Sequence, residues 1–201
     1  MAMFSHLRAA VLFFLGVPAL YAQGIITTIA GTGAIGNSGD GGPAIRATLG
    51  VTAGIAVDRA GNIYVADSIY NVVRKIDTAG VISRFAGGGN PGTTGDGGPA
   101  TSAYLSIVGS HIGLAVDSAG NVYITEIGVA RIRKVDTNGI ISTVAGNGMV
   151  SFSGDGGPAT NAALAAPTGV AFDSAGNMYI GDSGNVRVRK VSTDGTISTV
   201  A

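Results

Sequence analysis

Cysteine and tryptophan are both absent from the 201 residues. Without cysteine there is no disulfide framework, no thiolate nucleophile and no Cys-ligated zinc. Histidine occurs only as His6 and His111, which excludes a multi-histidine metal site. Net charge is missing too: 12 basic and 12 acidic residues cancel. That removes the electrostatic case for nucleic acid or an anionic membrane surface as a partner. No Gly-x-Ser-x-Gly elbow, His-Glu-x-x-His pair or Gly-Lys-Ser/Thr phosphate loop occurs.

Glycine is what the chain has in excess, at 34 residues, alongside 46% hydrophobic residues. The glycines follow no strict Gly-x-y period, so collagen is excluded, and the hydrophobic content excludes disorder. A single turn-rich β domain with many short strands is the remaining class.

The N-terminus reads as an export signal. Residues 9–20 are apolar apart from Gly16 and Pro18, and Tyr21-Ala22 precedes Gln23. This run is too short to span a bilayer, which takes roughly 20 residues. A signal peptide over residues 1–22 is therefore expected. The processed chain would be secreted or periplasmic, with no membrane span.

Asp58-Arg-Ala-Gly-Asn62 recurs as Asp117-Ser-Ala-Gly-Asn121 and Asp173-Ser-Ala-Gly-Asn177. Each copy joins an apolar run to an alternating one, the mark of a β-hairpin. Other segments keep the same phase. Gly-Asp-Gly-Gly-Pro-Ala loops carry Asp40, Asp96 and Asp155, and basic strands carry Arg74-Lys75, Arg133-Lys134 and Arg189-Lys190. Ile-Ser-Thr-Val-Ala strands follow, the last ending at Ala201, and residues 25–30 match them as a leading strand. Asp96 lies 56 residues after Asp40, and Asp155 lies 59 after Asp96. The longer second unit carries an insertion at residues 106–112 that contains His111.

Each unit supplies four short strands, so the expected fold is all-β: a propeller of four-stranded antiparallel blades, with about three blades in an open arc. The boundaries are residues 25–50 for the leading strand and first loop, 51–87 for blade 1, 88–146 for a loop and blade 2, and 147–201 for a loop and blade 3. The basic strand is expected to be a half-exposed outer strand. Pro43, Pro99 and Pro158 are expected to start short helices at their first turn, with Leu49, Leu105 and Leu164 pointing inward.

The chain resembles the NHL-repeat family of β-propellers, in a bacterial secreted style with Gly-Asp-Gly-Gly-Pro-Ala insertions between blades. The residues that carry the likeness are Pro167-Thr-Gly-Val-Ala-Phe-Asp173, Gly176-Asn-Met-Tyr-Ile-Gly-Asp182 and Asn185-Val-Arg-Val-Arg-Lys190. The resemblance implies the propeller fold. It leaves function open, because such propellers include protein-, nucleic acid- and carbohydrate-binding modules as well as some lyases.

Three blades do not close a ring. The chain is expected to be a fragment of a longer frame, half of a homodimer forming a six-bladed ring by strand exchange at residues 25–30, or an arc packed on another protein.

Candidate sites follow from position. Asp58, Asp117 and Asp173, with Asn62, Asn121 and Asn177, read as caps of the hairpin turns. Asp40, Asp96 and Asp155 read as acceptors for their own Gly-rich turns or the following helix N-terminus. Ca²⁺ on these carboxylates is the weaker reading, since a dedicated loop offers several carboxylates; no cofactor is predicted. Asp67, Glu126 and Asp182, ending the second strands, are the better candidates for a ligand or partner face. Pairing with Arg74, Arg133 and Arg189 is the competing role. Tyr70 and Tyr104, which do not recur, and His111 complete that candidate face. The expected function is a secreted, non-enzymatic binding or scaffold module for a protein or carbohydrate ligand. The alternatives are a lyase-like or metal-dependent enzyme domain and a non-functional fragment.

Overall fold

A computed structural model describes residues 24–91, 94–109 and 111–201; the expected signal over residues 1–22 lies outside them. Twelve strands form three four-stranded antiparallel sheets. Blade 1 contains β1 (Thr52–Val57), β2 (Ile63–Asp67), β3 (Val72–Ile76) and β4 (Ile82–Gly87). Blade 2 contains β5 (Leu114–Val116), β6 (Val122–Glu126), β7 (Arg131–Val135) and β8 (Ile141–Ala145). Blade 3 contains β9 (Pro167–Phe172), β10 (Met178–Asp182), β11 (Arg187–Val191) and β12 (Ile197–Thr199). Strands pair in chain order within each sheet, and the sheets stand side by side as an open, unclosed arc. Residues 24–29 form no strand; Ile25 and Ile26 are exposed.

The hairpin turns explain why each sheet begins where it does. Asp58 accepts from the Asn62 backbone and side-chain amides at 2.8 Å each, and from the Tyr64 hydroxyl at 3.1 Å. Asp117 with Asn121 and Tyr123, and Asp173 with Asn177 and Tyr179, repeat the arrangement. Gly61, Gly120 and Gly176 supply the positive φ that the turn requires.

Alternate residues of each strand bury themselves between blades. Tyr64, Ala66 and Val73 of blade 1 pack on Leu105, Ile107, Ile112, Val122 and Ile124. Ala130, Ile132 and Ala145 of blade 2 pack on Leu164, Met178, Ile180 and Ile197. On the other side of blade 1, Val65, Ile76 and Ile82 are covered by Ala44, Ala47, Leu49 and Ala30. Each large aliphatic so buried stabilises the fold by roughly 1.5–3 kcal/mol.

The inter-blade loops depart from expectation. After each loop proline comes only a three-residue 3-10 turn, Ala44–Arg46, Ala100–Ser102 or Ala159–Asn161, with the proline at the N-cap. The helices do not propagate because the loop spends its backbone groups on the sheet beside it. Ala44 N–H donates to Gly80, Gly41 N–H donates to Ile82, and Ile82 N–H donates back to Gly42. Blades 2 and 3 repeat this stitching. Leu105 and Leu164 point inward as expected, fully buried.

Candidate functional site

The second strand of each blade ends in an acid, which in blades 1 and 3 lies beside the start of the first strand. Asp67 pairs with Thr52 across the ladder, and Asp182 with Pro167. Asp67, Glu126 and Asp182 are at most 1% exposed, so none of the three is presented to a ligand. Asp67 accepts from the Gly50 N–H at 2.7 Å and from Ile69 and Tyr70 at 3.1 and 3.2 Å. Glu126 accepts from the Ser106 N–H at 2.7 Å and pairs with Arg133 at 3.0 Å. Asp182 accepts from the Ala165 N–H at 2.6 Å, from Asn185 at 2.7 Å and from Arg189 at 3.3 Å. Each carboxylate fastens an incoming loop to the strand end.

The basic strands of blades 1 and 2 are mostly buried, not half-exposed, whereas β11 begins with exposed Arg187 and Val188. Arg74, Arg133 and Arg189 are among the largest fully buried side chains. The fourth strand lies outside each of them, and the Gly-rich loop closes over the guanidinium. There Asp40, Asp96 and Asp155 pair with Arg74, Arg133 and Arg189 at 2.7, 2.6 and 2.7 Å. The carboxylates read from sequence as turn acceptors thus serve as ion-pair partners. A Ca²⁺ held by them would sit against a guanidinium, which opposes it. Among the described residues no three His, Asp or Glu side chains come together as metal ligands.

The copies differ in detail. All three arginines donate to a loop carbonyl, of Ser38, Thr94 or Ser153, but Arg74 takes Asn37 at 3.1 Å where Arg133 and Arg189 take the strand-end acid. Arg187 and Arg189 both lie over the Phe152 ring, at 4.0 and 4.8 Å from its centroid. The Arg–loop Asp link was missed in the sequence, although both residues recur at fixed phase in all three units.

Around the strand ends runs a polar, accessible rim. Tyr70 is exposed and Tyr104 half-buried. The Thr168 and Ser183 hydroxyls share a hydrogen bond, and the Ser68 hydroxyl donates to the Val51 carbonyl. The insertion of blade 2 belongs to this rim. Ser106, Ile107 and Ile112 are buried, while Val108 and His111 are exposed. Ile107 N–H donates to Asn71 at 3.2 Å, and Ile112 N–H donates to Ala53 at 3.3 Å. A side chain at Gly54 would strike the Ile112 carbonyl, so blade 1 accepts the insertion only because Gly54 has no Cβ. His111 is thereby carried on a loop anchored at both ends, beside the start of β5. The structure therefore separates the six candidates. Asp67, Glu126 and Asp182 are internal fasteners, and Tyr70, Tyr104 and His111 lie on or near the rim.

Comparison with known proteins completes the assignment. The teneurin NHL domain model matches residues 32–92 and 150–201, over half of the chain. Teneurin-3 of Mus musculus is 29% identical over 77% of this chain, and Teneurin-3 of Danio rerio 32% identical over 81%. The chain spans 8% and 6% of those relatives' lengths. Among solved structures, a streptogramin B lyase aligns with a TM-score of 0.50 at 20% identity, covering 75% of this chain and 40% of the lyase. A gluconolactonase of Xanthomonas campestris aligns at 0.50 with 14% identity, covering 76% of this chain and 48% of its own. An auxiliary nutrient binding protein of Bacteroides ovatus aligns at 0.56 with 20% identity, covering 77% of this chain and 37% of its own.

These likenesses correct the expectation of a non-enzymatic binding or scaffold module. The same fold carries a lyase and a gluconolactonase, so a propeller read from sequence gives no ground for denying catalysis. By the extent of the match to its domain model, the chain belongs to the teneurin NHL domain family.

Proposed function

We propose that this chain is a section of a catalytic propeller, working by acid–base chemistry on a ring ester or similar small substrate at the strand-end rim. The observation that carries this reading is the fold shared with the lyase and the gluconolactonase, combined with an exposed imidazole in the insertion of blade 2. In such chemistry a base takes a proton from the substrate or from an attacking water, and imidazole is the side chain best suited to this near neutrality. His111 is the group proposed for that role. Hydroxyls of Thr168 and Ser183 and the Tyr70 ring would orient the substrate, whose sugar-like polarity suits them.

The test is ring opening of gluconolactone and cleavage of a streptogramin B by the purified protein and by His111→Gln. Turnover of either substrate is expected, with a loss of about 100-fold or more in the variant. Equal rates in the two proteins, or no turnover of either substrate, would overturn the reading.

Export belongs to the same proposal. Residues 1–22 would direct the chain to a secreted or periplasmic location. N-terminal sequencing of the exported protein should start at Gln23. Among the described residues no helix is long and apolar enough to cross a membrane.

A further inference from the structure

Blades 2 and 3 leave a cavity of about 350 Å³ between them, near the turns of Gly176 and Gly195 and opposite the strand-end acids. Both walls belong to blades that pack on each other within the chain. The apolar part of the wall is Tyr123 and Val144 of blade 2 with Phe172, Met178 and Val191 of blade 3. The Tyr123 and Phe172 rings stand 4.5 Å apart at a tilt of 58°. The polar part is the hydroxyls of Thr143, Thr160, Ser192 and Thr193 with one charged side chain, Lys134. None of the lining residues is acidic.

The repeat explains why the space opens at this seam. Blade 1 carries Arg84 and Phe85 where blade 2 carries Thr143 and Val144, and blade 2 carries Asp136 where blade 3 carries Ser192. Between blades 1 and 2, Phe85 packs into the seam with its ring 4.8 Å from that of Tyr64. Between blades 2 and 3 the aromatic partner comes from the opposite wall, as Phe172 in place of Val116. Val144 cannot fill the room of a phenyl ring, and Thr143 and Ser192 replace a cation and an anion. Lys134 is thereby left without an acid in the wall around it. The acids of the adjoining turns are spent locally. Asp136 accepts from the Asn138 and Ile140 N–H groups, and Asp194 from that of Thr196, each at 2.9 Å.

We propose that this cavity binds a small monocarboxylate carrying a flat apolar ring. The ring lies among Tyr123, Phe172, Met178 and Val191, where burial of its apolar area supplies affinity. The carboxylate takes the Lys134 ammonium and the neighbouring hydroxyls, because hydrogen bonds to an ionised acceptor are the stronger ones. Charge selects the class: an ammonium with hydroxyls and no acid disfavours a cation and holds a neutral ring less well. The volume sits at the low end of small-ligand cavities, roughly 300–1,000 Å³, which limits the occupant to a small molecule. The site lies away from the rim and does not depend on the catalytic reading.

Benzoate is the probe, followed through the methyl signal of Met178 in protein labelled with ¹³C-methyl methionine. Met149, 65% exposed on the loop before blade 3, is the internal control. Benzoate should shift Met178 saturably, with a Kd of about 1 mM or tighter, and leave Met149 in place. Lys134→Met keeps the aliphatic stem and removes the charge, and should weaken binding by about 10-fold or more. Benzamide, the neutral counterpart, should bind the wild type more weakly by a similar factor. Val144→Phe, which restores the residue of blade 1, should abolish the saturable shift. Absence of a saturable Met178 shift up to about 20 mM benzoate overturns the proposal. So does equal affinity for benzamide, unchanged binding in either variant, or a saturable shift with glucose in place of benzoate. Circular dichroism identifies a variant that fails to fold. Thr143→Arg, again the residue of blade 1, then replaces Val144→Phe, and Lys134→Gln replaces Lys134→Met.

Discussion

At the scale of single residues, the buried arginines are the costliest groups to disturb. Removing one partner of a buried ion pair costs about 3–5 kcal/mol, because the other charge is left stranded. Arg133→Ala strands Glu126, which is 1% exposed. Arg74→Ala strands no buried acid, because Asp67 keeps its three backbone donors. Arg133→Ala should therefore lower the urea midpoint clearly more than Arg74→Ala, while Asp96→Asn, at a carboxylate 40% exposed, should cost only about 1 kcal/mol or less. Equal losses in the two arginine variants would show that the Glu126 pair is not what matters.

The turn aspartates add a pH dependence of known sign. Burial opposes ionisation of Asp58 and Asp117, yet hydrogen bonds led by Asn62 and Asn121 outweigh it and lower both carboxyls. At Asp173 the Asn177 side chain is the foremost cause of the lowering. Folded values below the unfolded one mean stabilisation that is complete above about pH 3.9 and lost as pH falls through the folded values. The denaturation midpoint should drop in that acidic window, and Asp117→Asn should flatten the drop. In alkali, burial and then the Asp58 hydrogen bond push the Tyr64 phenol up to about 12. Stability tied to the neutral phenol is present below the unfolded value near 10 and lost as pH rises toward the folded one. Tyrosinate absorbance should show Tyr64 ionising well above the ordinary tyrosine value.

At the scale of elements, the turn between second and third strands stores strain in two of the three blades. Asn71, Ala130 and Val186 hold the same position with φ of 52, 50 and 54°. Asparagine tolerates the left-handed region, whereas a β-branched valine there is an outlier costing roughly 1–2 kcal/mol. Val186 is also 88% exposed, so it recovers nothing through packing in the single chain. Val186→Asn should raise stability by about 1 kcal/mol, read as a higher thermal midpoint; a lower one would mean that Val186 is covered in solution. The hairpins were legible in the sequence because a five-residue turn contains its own donors and acceptors. The predicted helices failed because the loop's hydrogen bonds run to strands about 40 residues away in sequence, from Gly41 and Gly42 to Ile82. No local pattern announces such bonds.

At the scale of the whole molecule, stability is carried by blade-to-blade faces. Ile124→Ala, at a fully buried side chain in the core between blades 1 and 2, should cost about 2–5 kcal/mol. Ile55→Ala, at a side chain 63% exposed, should cost only about 0.5 kcal/mol or less, read as a nearly unchanged melting midpoint. A loss as large as that of Ile124→Ala would show that Ile55 is covered in solution.

The sequence by itself determined the strand pairs, the turns and the repeat phase, because period-two alternation and turn chemistry are set by residues a few positions apart. It put Tyr70, Tyr104 and His111 on one candidate face, and of these Tyr70 and His111 are exposed while Tyr104 is half-buried. It did not show that Arg74, Arg133 and Arg189 are sealed in or that Asp67, Glu126 and Asp182 are spent inside the blades. Burial depends on neighbours brought together from distant parts of the chain, and the loop aspartates that cover the arginines lie 34 to 37 residues before them. An alternating basic and aliphatic strand reads the same whether or not a loop folds over it. Only the tertiary structure decided which charges are fasteners and which edges of the arc stay open.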